Sequence, residues 1–200
     1  MNILVTGAAG FIGAHLGSEL IRDGHNCTFI DKLTPYYSIE LKRMRFQELV
    51  GAPLIEMDLN DESLINLFEE RKFDCIVHLA AQPGVRVKYP QNLAYLEDNI
   101  EAFSKLARLA SQFNVKRFIY ASSSSVYENS TILPYTESEL LLQPSNPYPL
   151  SKWINEQIGT FLNKVSNTEF VGLRFFSVYG PWGRPDMAYL RLISAALNKT

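Results

Sequence analysis

The chain has 200 residues, 46% of them hydrophobic, and 19 Lys+Arg against 21 Asp+Glu for a net charge of −2. That apolar content can build a sizeable core and excludes an intrinsically disordered chain, while the near balance of charge leaves no electrostatic footprint for nucleic acid. Cys27 and Cys75 lie far apart in hydrophobic runs, which reads as reduced buried thiols of a cytoplasmic protein rather than a disulfide framework or a metal site. The opening Met1-Asn2-Ile3-Leu4-Val5 reaches Gly7 without a basic region or a long apolar run. No secretory signal and no membrane span are therefore expected.

Short apolar runs rich in β-branched residues occur at residues 3–6, 27–31, 54–57, 75–79, 117–121 and 170–175, separated by longer helical patterns. Strands that alternate with helices predict an α/β fold, a doubly wound parallel sheet with helices on both faces, because parallel neighbours need crossover connections. The first helix runs from Phe11-Ile12 to Leu20-Ile21 and should stop at Asp23-Gly24, where glycine can turn left-handed. Asp61-Glu62-Ser63 ahead of Leu64-Ile65 reads as an N-cap with acidic first-turn residues. Residues 90–112 carry Leu93, Leu96, Ile100, Phe103, Leu106 and Leu109, a stripe expected to be core rather than a partner surface. His78, alone on an apolar strand, is expected to be a satisfied core residue. Pro149 disfavours helix at the residue before it, so the next helix should begin at Pro149 with Tyr148 at its threshold. Loop chemistry gathers at Pro83-Gly84, Pro134, residues 144–149 and residues 180–185.

Thr6-Gly7-Ala8-Ala9-Gly10-Phe11-Ile12-Gly13 follows the first strand and opens the first helix. Glycines there permit a tight turn, close approach of backbone to a pyrophosphate, and close helix–strand packing, and the helix N-terminus offers free N–H groups to an anion. The second strand ends at Asp31, 18 residues beyond Gly13, where a carboxylate can accept hydrogen bonds from an adenosine ribose and repel a 2′-phosphate. NAD is thus favoured over NADP, a choice tempered by Lys32 next door. Asp58-Leu59 after the third strand, and Leu79-Ala80-Ala81 after the fourth, fall where this fold places its ligand, and the small residues would let a dinucleotide lie against the sheet edge. The alternatives are a glycine-rich turn with a surface aspartate, and an Asp58 that merely begins a turn.

Tyr148 and Lys152 are four residues apart and can project from one helical face. A phenol with a pKa near 10 is ionised in only about one part in a thousand at pH 7, a cost of about 4 kcal/mol for a base. A nearby ammonium and an oxidised nicotinamide would both lower that cost, and Ser123 at the end of strand five can hold a substrate hydroxyl. On spacing alone, the Tyr/Lys pair reads equally as the start of an amphipathic helix.

With these residues the sequence resembles the extended short-chain dehydrogenase/reductase family of NAD-dependent nucleotide-sugar epimerases and dehydratases. Tyr36-Tyr37, the run His78-Leu79-Ala80-Ala81-Gln82-Pro83-Gly84-Val85-Arg86, and Arg174-Phe175-Phe176-Ser177-Val178-Tyr179-Gly180-Pro181-Trp182-Gly183-Arg184-Pro185-Asp186-Met187-Ala188 look like its UDP-glucuronate 4-epimerase branch. The resemblance implies a tightly held NAD that removes hydride from C4 of the sugar and returns it to the opposite face. Tyr148 matches the family's base and Lys152 its electrostatic partner and ribose contact. Ser123 matches the Ser/Thr four residues before the tyrosine of Val126-Tyr127. Ser124 and Ser125 would face the sugar or its carboxylate, and Arg86 and Arg184 the nucleotide sugar, the alternative for each arginine being a solvated loop.

The resemblance further implies a Rossmann NAD-binding domain over residues 1–180, the beginning of a substrate-binding region over 181–200, and the absence of the family's C-terminal lobe. It implies a nucleotide sugar as partner, neither nucleic acid nor membrane, and a homodimer through the helices of residues 90–112 and 149–165. Glu128 stands after Tyr127 where the family usually has glycine, adding bulk and negative charge near the site. Two other readings remain: a truncated NAD-binding module without turnover, and a related dehydratase or decarboxylase. Ser124-Ser125 stand where dehydratases carry an Asp-Glu pair, which argues against dehydration.

Overall fold

The computed structural model describes residues 1–84, 95–138, 144 and 146–198. Strands β1 (Asn2–Thr6), β2 (Asn26–Asp31), β3 (Leu54–Glu56), β4 (Cys75–His78), β5 (Arg117–Ser123) and β6 (Glu169–Phe175) form one six-stranded sheet in the order β3-β2-β1-β4-β5-β6. Every neighbouring pair is parallel. Helices α1 (Phe11–Arg22), α2 (Ile39–Leu49), α3 (Leu64–Glu70), α4 (Ala102–Gln112), α5 (Pro147–Val165) and α6 (Ala188–Asn198) connect and follow the strands. A π-helical turn, Leu96–Glu101, leads into α4, and a 3-10 turn, Ser124–Tyr127, follows β5. The expected doubly wound sheet is the observed one.

Side chains of β1 alternate between two cores. Leu4 joins Ile30, Ile76, Phe103, Leu106 and Phe118 on one face, whereas Ile3 and Val5 join Phe29, Phe46 and Val77 on the other. A strand covered on both faces must be apolar throughout, and β1 is buried from Ile3 to Thr6. Strand order reverses between β1 and β4, where Thr6 lies in register with His78. Their carboxyl ends therefore open the crevice at which such sheets bind ligands.

Local sequence accounts for most boundaries. Gly24 takes φ 78° just past α1, and its N–H reaches Ile21 O at 2.9 Å. Four expectations need correction. The acids stand ahead of α3 rather than in its first turn: the Ser63 backbone is already helical, and Asp61 Oδ1 supplies the cap by accepting the Ser63 N–H and hydroxyl at 2.8 and 2.7 Å. Helix α5 begins at Pro147, not Pro149, because Asn146 Oδ1 accepts the Tyr148 N–H at 3.1 Å. Both prolines sit in the first turn, where a missing N–H costs no intrahelical bond. Leu96 is 52% exposed rather than part of the buried stripe. The wider π turn gives the inward positions to Tyr95 and Asn99, eight and four residues before Phe103. Leu93 and the start of that stripe lie outside the described residues. Cys27 is only partly buried, whereas Cys75 is buried, and both are free thiols.

Helix α2 was not anticipated. Ser38 caps it by accepting the Leu41 N–H at 3.1 Å, but its buried residues are Lys42, Arg45 and Phe46, so no apolar stripe announces it. Among the described residues no helix is long and apolar enough to cross a membrane, and no group of three or more His, Cys, Asp or Glu is placed to hold a metal.

His78 is a core residue, 4% exposed, with Nδ1 2.8 Å from Thr6 Oγ1 and its ring packed against Phe103 and Phe118. Burial, with a smaller contribution from the Lys152 charge, presses its pKa to about 3. An unfolded chain would protonate the same imidazole near its ordinary 6.5, so stability is fully present above that pH and is lost as pH falls toward 3. From pH 7 to pH 5 this residue should remove about 2 kcal/mol of stability. Urea unfolding at the two pH values is expected to show that loss in the parent, and a correspondingly flatter dependence in His78→Gln.

Candidate active site

A cleft of about 710 Å³ opens at the carboxyl ends of the strands. Gly7, Gly10, Phe11, Ile12 and Gly13 line it from the first turn, Asp31, Lys32, Asp58 and Leu59 from the ends of β2 and β3, and Leu79, Ala80 and Ala81 from the end of β4. Ser123, Ser124, Ser125, Tyr148, Lys152 and Arg184 line the same space. Every described residue singled out from the sequence as a site candidate thus reaches one cavity. Arg86 lies outside the described residues.

The first turn is built by close contact. Gly7 has φ 69°, and a Cβ there would meet Ala80 N at 2.6 Å. Gly10 is the N-cap of α1 and brings no side chain to its free N–H groups. Asp31 braces the turn from β2: Oδ2 accepts the Ala9 N–H at 3.0 Å and Oδ1 the Leu33 N–H at 2.8 Å. Lys32 donates to Asp58 Oδ2 at 3.1 Å and pairs closely with Asp98. Burial opposes the Lys32 charge, yet hydrogen bonds to Asp98 and Asp58 carry its pKa above the ordinary lysine value.

At the other end of the cleft, Ser123 stands beside the Tyr148 phenol. Its Oγ accepts from the N–H and hydroxyl of Ser125, at 3.1 and 2.9 Å. Burial pushes the Tyr148 pKa up, while the Ser123 hydrogen bond and the Arg184 charge act against it. Lys152 Nζ donates to Ala121 O at 2.9 Å and lies 5.9 Å from the centre of the Tyr148 ring. Burial lowers its pKa to about 8, so it still carries its proton at neutral pH. Arg184 donates to both oxygens of Asp186, at 3.0 and 2.6 Å, and Tyr36 donates to the same carboxylate at 3.3 Å.

Three polar residues that the sequence reading passed over hold this arrangement. Asn99, wholly buried in the π turn, accepts the Gln82 N–H at 2.7 Å and donates to Ser151 Oγ at 3.0 Å. Ser151 in turn donates to Tyr148 O at 2.7 Å, so the loop after β4 is tied to the start of α5. Glu156, one turn beyond Lys152, accepts from Ser122 Oγ at 2.5 Å and from Arg174 Nε and Nη2 at 2.9 and 2.8 Å, fixing the ends of β5 and β6. Arg45 is buried in α2 and donates to Ala9 O at 3.0 Å, Tyr37 Oη at 2.7 Å and Trp182 O at 2.9 Å.

Fold and cleft define the class: a Rossmann-type α/β protein with its ligand crevice at the switch point of the sheet. The sequence profile of the NAD dependent epimerase/dehydratase family matches residues 3–200, and the chain belongs to that family. Over 193 residues it is 42% identical to UDP-glucuronate 4-epimerase 2 of Arabidopsis thaliana, an alignment covering 94% of this chain and 44% of that protein. It is 38% identical over 202 residues to protein CapI of Staphylococcus aureus, covering 99% of this chain and 60% of CapI. The UDP-glucuronic acid 4-epimerase of Bacillus cereus, solved in complex with UDP-glucuronic acid and NAD, superposes with a TM-score of 0.90 at 34% identity. That match covers 100% of this chain and 64% of the other. The chain therefore spans between 44% and 64% of the length of these relatives.

Proposed function

We propose that this chain carries the coenzyme-binding and catalytic side chains of an NAD-dependent nucleotide-sugar epimerase that inverts C4 of UDP-glucuronate. Residues 1–180 form its coenzyme domain and residues 181–200 begin its substrate-binding region. The observation that carries the reading is the continuity of the cleft, which joins a glycine turn at one end to Ser123, Tyr148 and Lys152 at the other. Its residues fit a dinucleotide. Backbone is laid bare at Gly7 and Gly10, the N–H groups of α1 carry no side-chain cap, and Ala80 and Ala81 keep the sheet edge low. Asp31 would hold the adenosine ribose and repel a 2′-phosphate, and Lys32, held by Asp58 and Asp98, would give that phosphate no free cation.

NAD, when bound, supplies a reversible hydride acceptor for C4 and a positively charged ring that favours a phenolate beside it. Tyr148 takes the proton of the C4 hydroxyl and returns it to the epimerised product. Ser123, beside the phenol, orients that hydroxyl and shares its proton. Lys152, fixed by Ala121 O, keeps a positive charge near the phenol and would hold the nicotinamide ribose. Ser124 and Ser125 offer hydroxyl donors to the hexuronate, and Arg184 with Arg86 serves the nucleotide sugar. A cytoplasmic location and a homodimer packed through α4 and α5 belong to the same reading. Phe161 and Val165 on α5 stand exposed, as does Leu96 before α4.

Incubation of the chain with UDP-glucuronate, followed by proton NMR, is expected to yield UDP-galacturonate. NAD binding without any conversion would favour a second reading, an NAD-binding module without turnover.

A further inference from the structure

Lys42 belongs to none of the roles assigned so far. It lies on α2, is only 6% exposed, and lines the cleft beside Gly10, Phe11, Asp31 and Thr34. Two of the three N–H bonds of its ammonium are accounted for by Thr34, at 2.7 Å to the carbonyl and 3.1 Å to the hydroxyl, and its Nζ lies 4.7 Å from the centre of the Tyr37 ring. Among the described residues it makes no ion pair. Burial, and the charges of Arg45 and Arg184, hold its pKa below the ordinary lysine value, with Asp31 acting the other way. A desolvated ammonium without a direct counter-charge is costly, and two arginines nearby add to the cost. A dianion in the cleft would remove that cost, and the free N-terminus of α1 faces the same space.

We infer that Lys42 is a further ligand-binding residue, contacting the diphosphate of the ADP half of the coenzyme, with Thr34 as the residue that positions it. The inference rests on the coenzyme reading above and extends its residue set. Lysine acts here as a point charge, while the glycine turn supplies directional N–H groups. Asp31 stands against a phosphate on the ribose, so the charge is directed to the diphosphate.

Calorimetric titration of the 200-residue chain with adenosine, ADP and NAD tests this. Lys42→Gln keeps N–H donors for Thr34 and removes the charge. It is expected to weaken ADP and NAD binding by about 10- to 100-fold, the loss of one charge-assisted hydrogen bond, and to leave adenosine within about twofold. Lys42→Arg is expected to recover most of the ADP affinity, and it carries the test if the glutamine variant does not fold. A loss no larger for ADP than for adenosine would assign Lys42 a purely structural role and overturn the inference, as would an arginine variant that folds but binds ADP no better than the glutamine one. Parent protein that binds neither ADP nor NAD would instead overturn the coenzyme reading, and this inference with it.

Discussion

Replacing Tyr148 by Phe is expected to lower epimerisation by about 10²- to 10⁴-fold, the usual contribution of a positioned acid–base group, while NAD affinity stays within about threefold. The exchange removes one oxygen. The ring keeps its edge contact with Tyr95, at 5.9 Å between centroids, and helix α5 keeps its Asn146 cap, because neither involves the hydroxyl. What disappears is the proton acceptor beside Ser123. Burial by itself pushes this phenol away from ionisation, so the site must supply the compensation, and the groups within reach are Ser123, the protonated Lys152 and the Arg184 charge. Initial rates by NMR and NAD titration of the same preparations separate chemistry from binding. A phenylalanine variant that epimerises at the parent rate would sink the assignment of Tyr148 as base.

The glycine turn and Asp31 were legible in the sequence because each serves the turn through its own residue type. A position at φ 69° against the backbone of Ala80 selects glycine, and a carboxylate ending β2 is within reach of Ala9 N–H. The parallel, doubly wound sheet followed from strand and helix alternation, whereas the order of its strands came only with the structure. Asn99, Glu156 and Arg45 were not legible, since their partners lie 8 to 137 residues away in the chain and no local pattern marks them. For α5 a signal existed: Tyr148, Lys152 and Glu156 recur every four residues, and Ser151 and Asn155 fall beside them, a polar face too regular for a helix that buries only apolar side chains. Helix α2 escaped for a related reason. It packs inward with Lys42 and Arg45, side chains ordinarily assigned to solvent. The end of the buried stripe at Leu96 was misplaced because a helical period cannot foresee a π turn, whose extra residue rotates everything before it.

Alanine at Gly13 is expected to lower stability by about 1–3 kcal/mol or more and to weaken NAD binding at least about tenfold. The added Cβ would meet Gly7 O at 2.2 Å and Ala8 Cα at 2.9 Å, both backbone atoms of the turn itself. Neither can swing aside as the end of a long side chain would, so either α1 withdraws from β1 or the turn opens. Both outcomes carry the α1 N–H groups away from the cleft. The neighbouring glycines set a graded comparison. At Gly10 the Cβ would stand 3.0 Å from Gly7 O with an ordinary backbone, so a shift of a few tenths of an ångström suffices and the losses should be smaller. At Gly24 nothing lies within 4 Å, but φ is 78°, so alanine there should cost about 1 kcal/mol of stability and leave NAD affinity unchanged. Thermal unfolding and NAD titration of the three variants read the two effects separately. If Gly13→Ala and Gly24→Ala lost stability and NAD affinity in the same proportion, the turn would have no special place in coenzyme binding, since general loosening of the fold would explain both.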